Sequence, residues 1–494
     1  VAVLALITAV SIVWGLGARG LSRSTPTAPL ATAAAWASGT PVIAVLPFKN
    51  LSSEPDSEYF VDGLTEDIIR NLAVIDGLQV RSQTSSFVFK NTPRNAAQIG
   101  EQLRVNLIVA GSVQRQGKRL RVNAQLVAVA GDLPLWSEQY DRSLEEVFAI
   151  QDEISRAIVN KLRLTLGRGQ RRYQPPVDAY DLYLRARALL RRRGLENVRS
   201  ASRTGAGEKA ASLLEQVIAK DPSFAPAYAG LADAYALMSW EIRGLSPEEG
   251  LMRMRPAAMK AIELDPLLAE AHAAMGMTYS RERDWTAAEK SFDRALELNP
   301  SLTEIHTNYS SAVLLPVGKS GKALQLLDAA LRTDPLSLDV RRQLAMTQIV
   351  AGRYDDAIAN LRHVLAVDPE FPSADLQLVR ALTFSGRPAE AVAFWESRPK
   401  PQHGDWRRWL ASAYVRCGRR VDAERQLEAH MNEHPYRQAL IYAALGDKDR
   451  TFEALNRAAD VLPQRTVLLL VYPEMALLRG DPRLAVLRNK FNLP

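Results

Sequence analysis

The chain has 494 residues, 47% of them hydrophobic and 24% charged. These are globular proportions and exclude a largely disordered chain. One cysteine, Cys417, excludes an intrachain disulfide, a CxxC pair and a cysteine zinc cluster. A net charge of +7 on this length is too small to argue for nucleic acid.

In chain order, VAVLALITAVSIVWGLG runs from Val1 to Gly17 without a charge. A helix needs about 17–20 apolar residues to cross a bilayer, and no basic n-region marks a cleavable signal. Residues 1–17 are therefore expected to form a transmembrane helix, an anchor rather than a removed leader. The run starts at Val1 rather than Met, so a missing upstream part stays open. Arg19 and Arg23 alone would put the C-terminal side in the cytoplasm, but the flank before Val1 is unseen. Residues 18–40, rich in Ser, Thr, Pro and Ala, are expected to be a flexible linker.

The next region, residues 41–167, alternates strand and helix signals. PVIAVLPF is a buried-strand pattern closed by a turn-rich stretch. DGLTEDIIRNLAVI places Leu64, Ile68, Leu72 and Ile75 on one helical face. LQVRSQTSS is a second strand candidate, and AAQIGEQLRV a second helix. NLIVAGSVQRQ, RLRVNAQLVAV and LPLWSEQYD are three further strands, the first two joined around Gly117. A last helix carries Val147, Ile150, Ile154, Ile158 and Leu162 as a stripe. The order β-α-β-α-β-β-β-α predicts a mixed sheet with helices on its faces, an α+β domain. Asp62, Glu66 and Asp67 are expected in the first turn of a helix, complementing its dipole, rather than as an acid/base pair. Trp136 and Tyr140 are expected to pack on a strand.

IAVLPFKNLSSEPDSEYFVDGLTEDIIRNL, RSQTSSFVFK, AGSVQRQGKRLRVNAQLV and LWSEQYDRSLEEVFAIQDEIS together resemble the TolB-N-terminal-like (FlgO-like) domain. That domain accompanies tetratricopeptide repeats in bacterial transmembrane regulators and class III adenylate cyclases. The resemblance implies a non-catalytic, extracytoplasmic domain, and with it a single-pass protein of the bacterial inner membrane whose soluble part is periplasmic.

After a short linker, residues 168–177, the stretch 178–494 is helical and repetitive. Asp-Pro or Asn-Pro pairs close successive units at Pro222, Pro266, Pro300, Pro335 and Pro369, at intervals of 44, 34, 35 and 34. A period of 34 is that of the tetratricopeptide repeat, a helix-turn-helix unit. Gly276, Tyr279, Ala288, Phe292, Ala295 and Pro300 fit its small, aromatic and proline positions. An all-α solenoid of about eight units is predicted. The basic stretch from Arg168 to Arg203 is expected to be a solvated face.

No phosphate-binding loop, dinucleotide fingerprint or nucleophile elbow occurs. His430-Met-Asn-Glu433-His434 spells HxxEH, but Pro435 ends the helix at once, and a solvated helix end is expected rather than a metal site. No catalytic residue, metal or cofactor is expected. The expected binding surface is the concave face of the array, which the first helix of each unit lines with Asp233, Glu270, Glu304, Thr307, Ser311, Arg342, Met346, Arg380 and Arg408. The expected partner is a protein or peptide, with the membrane held by the N-terminal helix and no nucleic-acid contact. The whole is read as a non-enzymatic sensing or scaffolding module. The alternative is the regulatory half of a signalling protein (winged-helix regulator, class III cyclase or kinase) whose effector domain lies upstream.

Overall fold

The computed structural model describes residues 40–52, 57–75, 77–92, 95–162, 173–196, 205–240, 245–371, 373–398, 410–429 and 435–494. The apolar run at 1–17, the linker to residue 39, residues 168–172, Arg408 and the HxxEH stretch lie outside the described residues. Among the described residues no helix is long and apolar enough to cross a membrane.

Apolar β-branched runs build the first sheet. Its strands are β1 (Val42–Val45), β2 (Lys49–Asn50), β3 (Gln79–Val80), β4 (Leu107–Gln116), β5 (Arg119–Ala128) and β6 (Leu133–Ser143). The order is β3-β1-β4-β5-β6, with β2 also on β4. β1 pairs parallel with β3 and β4, whereas β4, β5 and β6 are antiparallel. Helix α1 (Glu58–Ala73) follows β2 in the chain. α2 (Gln83–Phe87) and α3 (Ala96–Leu103) separate β3 from β4, and α4 (Val147–Leu162) closes the region. The predicted stripes are the core: Leu64, Ile68 and Leu72 on α1, with Ile150, Ile154 and Ile158 on α4, are fully buried.

Two elements differ from expectation. LQVRSQTSS is not one strand: it pairs over two residues and turns into α2. Ser82 accepts a hydrogen bond from the Ser85 amide and so caps that helix, and this local bond outcompetes the ladder. α1 starts at Glu58, one turn earlier than expected, so Glu66 and Asp67 sit in its middle and are buried. They are not first-turn carboxylates.

The rest is helical. The helices pair as α5 (Val177–Glu196) with α6 (Ala206–Lys220), α7 (Ala225–Trp240) with α8 (Pro247–Leu264), and α9 (Ala269–Glu282) with α10 (Trp285–Leu298). Then come α11 (Thr303–Tyr309) with α12 (Ser320–Thr333), α13 (Leu338–Val350) with α14 (Tyr354–Val367), and α15 (Ala374–Phe384) with α16 (Pro388–Glu396). α17 (Ala411–Arg416) with α18 (Arg420–Ala429) and α19 (Pro435–Leu445) with α20 (Lys448–Val461) complete the pairs. α21 (Pro463–Leu469), a 3-10 turn (Pro473–Leu478) and α22 (Pro482–Lys490) end the chain.

The repeat pattern has its physical basis here. A Cβ on Gly276 would stand 2.8 Å from the Phe292 ring, so the small residue lets α9 and α10 close up. Phe292 stacks on Tyr309 of the next unit with centroids 5.0 Å apart. The unit ending at Pro335 has one residue more than its neighbours, and α11 runs on as a π-turn, Ser310–Leu314. A π-turn takes up one extra residue without breaking the helix, which accounts for the interval of 35.

At Gly111 of β4 the backbone of β5 comes close. A Cβ there would lie 2.3 Å from the Asn123 carbonyl oxygen and 2.6 Å from the Phe48 ring. Gly111→Ala should lower stability by about 1–3 kcal/mol in urea unfolding, because a backbone carbonyl cannot yield. Gly321→Ala on α12, where nothing lies within 4 Å, should be neutral or slightly stabilising.

Candidate functional site

The end of an α-helix leaves its last carbonyls without partners, and they carry partial negative charge. Two such ends meet at Arg81, which follows β3 and is 6% exposed. Its Nε donates to the Leu103 carbonyl at 2.6 Å and its Nη2 to that of Arg104 at 2.8 Å, at the end of α3. Its Nη1 reaches the Arg332 carbonyl at 3.1 Å, at the end of α12. One guanidinium thus closes a helix of the α/β region and a helix of the repeats.

The adjoining inter-unit turn completes the contact. Asp334, fully buried, accepts from the Ser85 hydroxyl on α2 and, at 3.3 Å, from that of Thr303. The Leu336 amide donates back to Ser85 Oγ at 2.8 Å. The Leu336 side chain packs against the cluster of Ala44, Phe89, Ile99 and Leu103.

A second contact is made from α1. The Asp67 carboxylate accepts from the Tyr180 hydroxyl of α5 and from Arg70 Nη1 at 2.7 Å. Arg187 of α5 pairs with Glu66 at 2.8 Å and approaches Asp67 at 3.4 Å. Arg70 also lies 3.2 Å from Glu270 on α9. Burial beside the Asp67 carboxylate holds the Tyr180 hydroxyl well above the usual phenol range. The Glu66–Asp67 pair is thus a structural ionic knot.

The nine expected binding residues do not form one open face. Glu270 is taken up by Arg70. Met346 and Arg380 are each 5% exposed. Arg380 pairs with Glu474 at 2.7 Å and lies 3.9 Å from the Tyr472 ring centroid. The cause is the chain's own C-terminal segment. Leu468, Val471 and Tyr472 pack on a core that includes Ile305, Tyr309, Leu314 and Met346. The Trp285 indole and Arg283 donate to the Phe491 and Lys490 carbonyls, at 3.0 and 2.7 Å. Residues 463–494 therefore cover first helices that the sequence reading left open. Glu304 stays exposed, with Thr307 and Ser311 half-buried and donating to carbonyls of their own helix. Asp233 and Arg342 are half-buried, the latter 3.9 Å from Asp339. Arg408 lies outside the described residues. Among the described residues, no group of three or more His, Cys, Asp or Glu is placed to hold a metal.

Arg81, Ser85, Asp334 and Glu474 escaped the sequence reading, and Arg187, expected on a solvated face, is instead paired with buried Glu66. Asp334 was visible only as a repeat stop signal, and Arg81 only as the end of a strand. Neither position announces a distant partner.

These features define an α/β domain fastened to a tetratricopeptide array, a protein-interaction scaffold. Residues 269–302 and 350–400 match tetratricopeptide repeats. Residues 38–157 match the family described as HilA/YgeH-like transcriptional regulator, second domain. Over 257 residues the chain is 37% identical to "Putative adenylate cyclase 3" of Rhizobium meliloti (strain 1021), covering 50% of this chain and 42% of that protein. The match thus spans less than half of the relative's length. The expected combination of a regulator-associated domain with tetratricopeptide repeats is borne out. Solved structures align only loosely. A tetratricopeptide protein from Parabacteroides merdae ATCC 43184 is 13% identical, covering 60% of this chain and 98% of its own, with a TM-score of 0.35. TolB from Acinetobacter baumannii is 22% identical over 25% of this chain and 28% of its own, with a TM-score of 0.20. Neither likeness carries an argument.

Two predictions follow from the geometry. Arg380→Ala leaves Glu474 buried without its counter-charge and should cost about 3–5 kcal/mol in denaturant unfolding. The double change Arg380→Met with Glu474→Leu should recover most of that loss; a double variant as unstable as the single would refute the pairing argument. For Asp334, burial pushes the carboxyl above the usual carboxylate range, against hydrogen bonds from neighbouring hydroxyls. Its folded state holds the proton more tightly than the unfolded one. That contribution to stability is complete below the unfolded pKa and is lost as pH rises through the folded value. The melting temperature of Asp334→Asn relative to wild type should therefore rise as pH increases past the unfolded carboxylate value of about 4. A constant difference across that series would show that Asp334 does not titrate in the fold.

Proposed function

We propose that the chain is a non-enzymatic protein-interaction module of the bacterial cell envelope. Residues 1–17 anchor it in the inner membrane, and the folded part stands in the periplasm. The observation that supports this most is the two-point attachment of the α/β domain to the repeats, through Arg81–Asp334 and Arg70–Glu270. A protein held by the array acts on the domain through a shared buried interface, with no chemistry required. The remaining open part of the expected surface, Glu304 with Thr307 and Ser311 on α11, is where a partner docks.

A second reading is favoured by the cyclase-named relative and by the match to the second domain of a transcriptional regulator. On that reading the module is the regulatory half of a transmembrane signalling protein, with an effector domain upstream.

Fractionation of the native cell tests location. The protein should stay with inner membranes after a high-salt wash, and its folded part should be cleaved by protease in spheroplasts but not in intact cells. Recovery in the soluble fraction would refute the anchor. A photo-crosslinking residue at Glu304 should trap one defined envelope protein, whereas one at buried Met346 should trap none. Adducts of this chain with itself alone would remove α11 as the docking face. The intact mass of the native protein separates the two readings, since only the second requires an effector domain before residue 1.

A further inference from the structure

The sheet of the α/β domain ends on an open strand. β6 is last in the order β3-β1-β4-β5-β6 and pairs with β5 alone. Along an antiparallel pair the backbone groups of successive residues point to opposite sides. The Val129 amide donates to the Asn106 carbonyl at 3.0 Å, so odd-numbered residues of β5 bond to β4 and even-numbered ones to β6. The Leu144 amide donates to the Lys118 carbonyl at 2.7 Å, so even-numbered residues of β6 bond back to β5. Ser137, Gln139 and Asp141 therefore turn their N–H and C=O groups outward. Among the described residues no backbone partner meets them. Ser137, Glu138 and Gln139 are exposed as well. An edge of this kind is a template for a further strand.

The open run is closed at both ends. On one side a bulge passes over Leu135: Leu126 pairs with Trp136, but Val127 pairs with Pro134. Pro134 itself has no N–H to offer. On the other side the Ser143 amide already donates to the Glu146 carboxylate at 3.3 Å. What remains is residues 136–142, and Gln139 is the centre.

That symmetry points to the occupant. A strand laid antiparallel about a two-fold axis at Gln139 sets Gln139 opposite its own copy and Ser137 opposite Asp141. Every outward group of the run then finds a partner, and one isologous contact closes both edges. The side chains agree with this register. A serine hydroxyl meets the Asp141 carboxylate, which Arg119 and Arg121 already hold in place at 2.8 and 2.7 Å. On the opposite face Arg142 comes across from Trp136, a cation beside a ring. No two like charges stand directly opposite each other. Moving the axis to Glu138 would set that carboxylate against itself, which is destabilising. Moving it to Tyr140 would set Ser137 against the Ser143 amide that Glu146 occupies.

We propose that β6 pairs with β6 of a second copy of this chain, joining two sheets into one across a two-fold axis at Gln139. The pairing uses the α/β domain alone, so it stands or falls apart from docking at α11.

Cysteine crosslinking of the full chain in detergent tests this, in a Cys417→Ser background. Gln139→Cys should oxidise to a covalent homodimer, since the Cα atoms of a hydrogen-bonded antiparallel pair stand about 5.5 Å apart, within disulfide reach. In this register the two copies of Ser137 are more than about 10 Å apart, so Ser137→Cys should crosslink at least about tenfold more slowly. Ser137→Pro removes an outward donor that β5 does not use. Added to Gln139→Cys, it should slow crosslinking at least about tenfold while circular dichroism shows the fold retained. Equal rates for Ser137→Cys and Gln139→Cys would overturn the pairing. So would the absence of a Gln139→Cys homodimer, or an unchanged rate in the folded Ser137→Pro chain. The same Gln139→Cys chain in its native cell distinguishes the occupants: adducts with another protein and none with itself would assign the edge to a foreign strand and overturn the proposal.

Discussion

The arrangement of this molecule depends on how helix ends are satisfied when two folded regions meet. A helix C-terminus buried against another surface needs donors for its last carbonyls. At the end of α3 and the end of α12 one side chain supplies them: Arg81 donates to Leu103, Arg104 and Arg332. A lysine could not do this, because only the planar fork of arginine offers several fixed donors at once. The partial negative charge of the helix ends offsets part of the cost of burying this cation, whose charged form burial and the neighbouring Arg104 disfavour. Asp334 then joins the repeat turn to the start of α2, where the Ser85 hydroxyl meets both its carboxylate and the Leu336 amide. The sheet is positioned on the array by backbone carbonyls as much as by side chains.

The same economy governs the other end. A helical array has a first-helix face that must be covered or wet. Here residues 463–494 cover part of it, with Tyr472 and Leu468 in the apolar strip and Arg380 against Glu474. A buried ion pair of this kind adds little net stability but is costly to break, so it fixes where the segment lies. Any protein that binds the array must use what this segment leaves uncovered, or displace it and expose both charges.

The sequence is most legible where structure is set by neighbours in the chain. The period of 34 shows because the small, aromatic and proline positions all act within one unit or on the next. The apolar stripes of α1 and α4 show because helical spacing alone puts Leu64, Ile68, Leu72, Ile150 and Ile154 on buried faces. The interval of 35 even hints at the π-turn at Ser310–Leu314. What stays hidden is pairing at long range. Arg81 and Arg332 are 251 residues apart, and Arg380 and Glu474 are 94 apart. Nothing local to a charged residue on a helix says whether it faces water or another element. Arg380 was therefore read as open surface, and Glu66 and Asp67 as first-turn carboxylates. LQVRSQTSS failed for the opposite reason: β-propensity suggested one strand throughout, and a serine cap turns its second half into α2.

Two contacts between the same partners constrain more than one would. Arg81 and Asp334 hold the α/β domain at the turn after α12, whereas Asp67, Arg70 and Arg187 hold it at α5 and α9. A single contact leaves a pivot. Two contacts on different units remove it, so the domain moves only with the units it touches or after one contact opens. The costs of opening are unequal. Opening the Arg81 contact takes the Arg332 carbonyl and the buried Asp334 carboxylate from their partners at once, while Arg81 keeps Leu103 and Arg104. The Arg70–Glu270 contact is partly exposed, at 24% and 31% for the two side chains, and its charges can be rehydrated where they stand. Movement between domain and array is therefore cheapest at α9, whereas α5 stays held by the buried Glu66–Arg187 and Asp67–Tyr180 pairs.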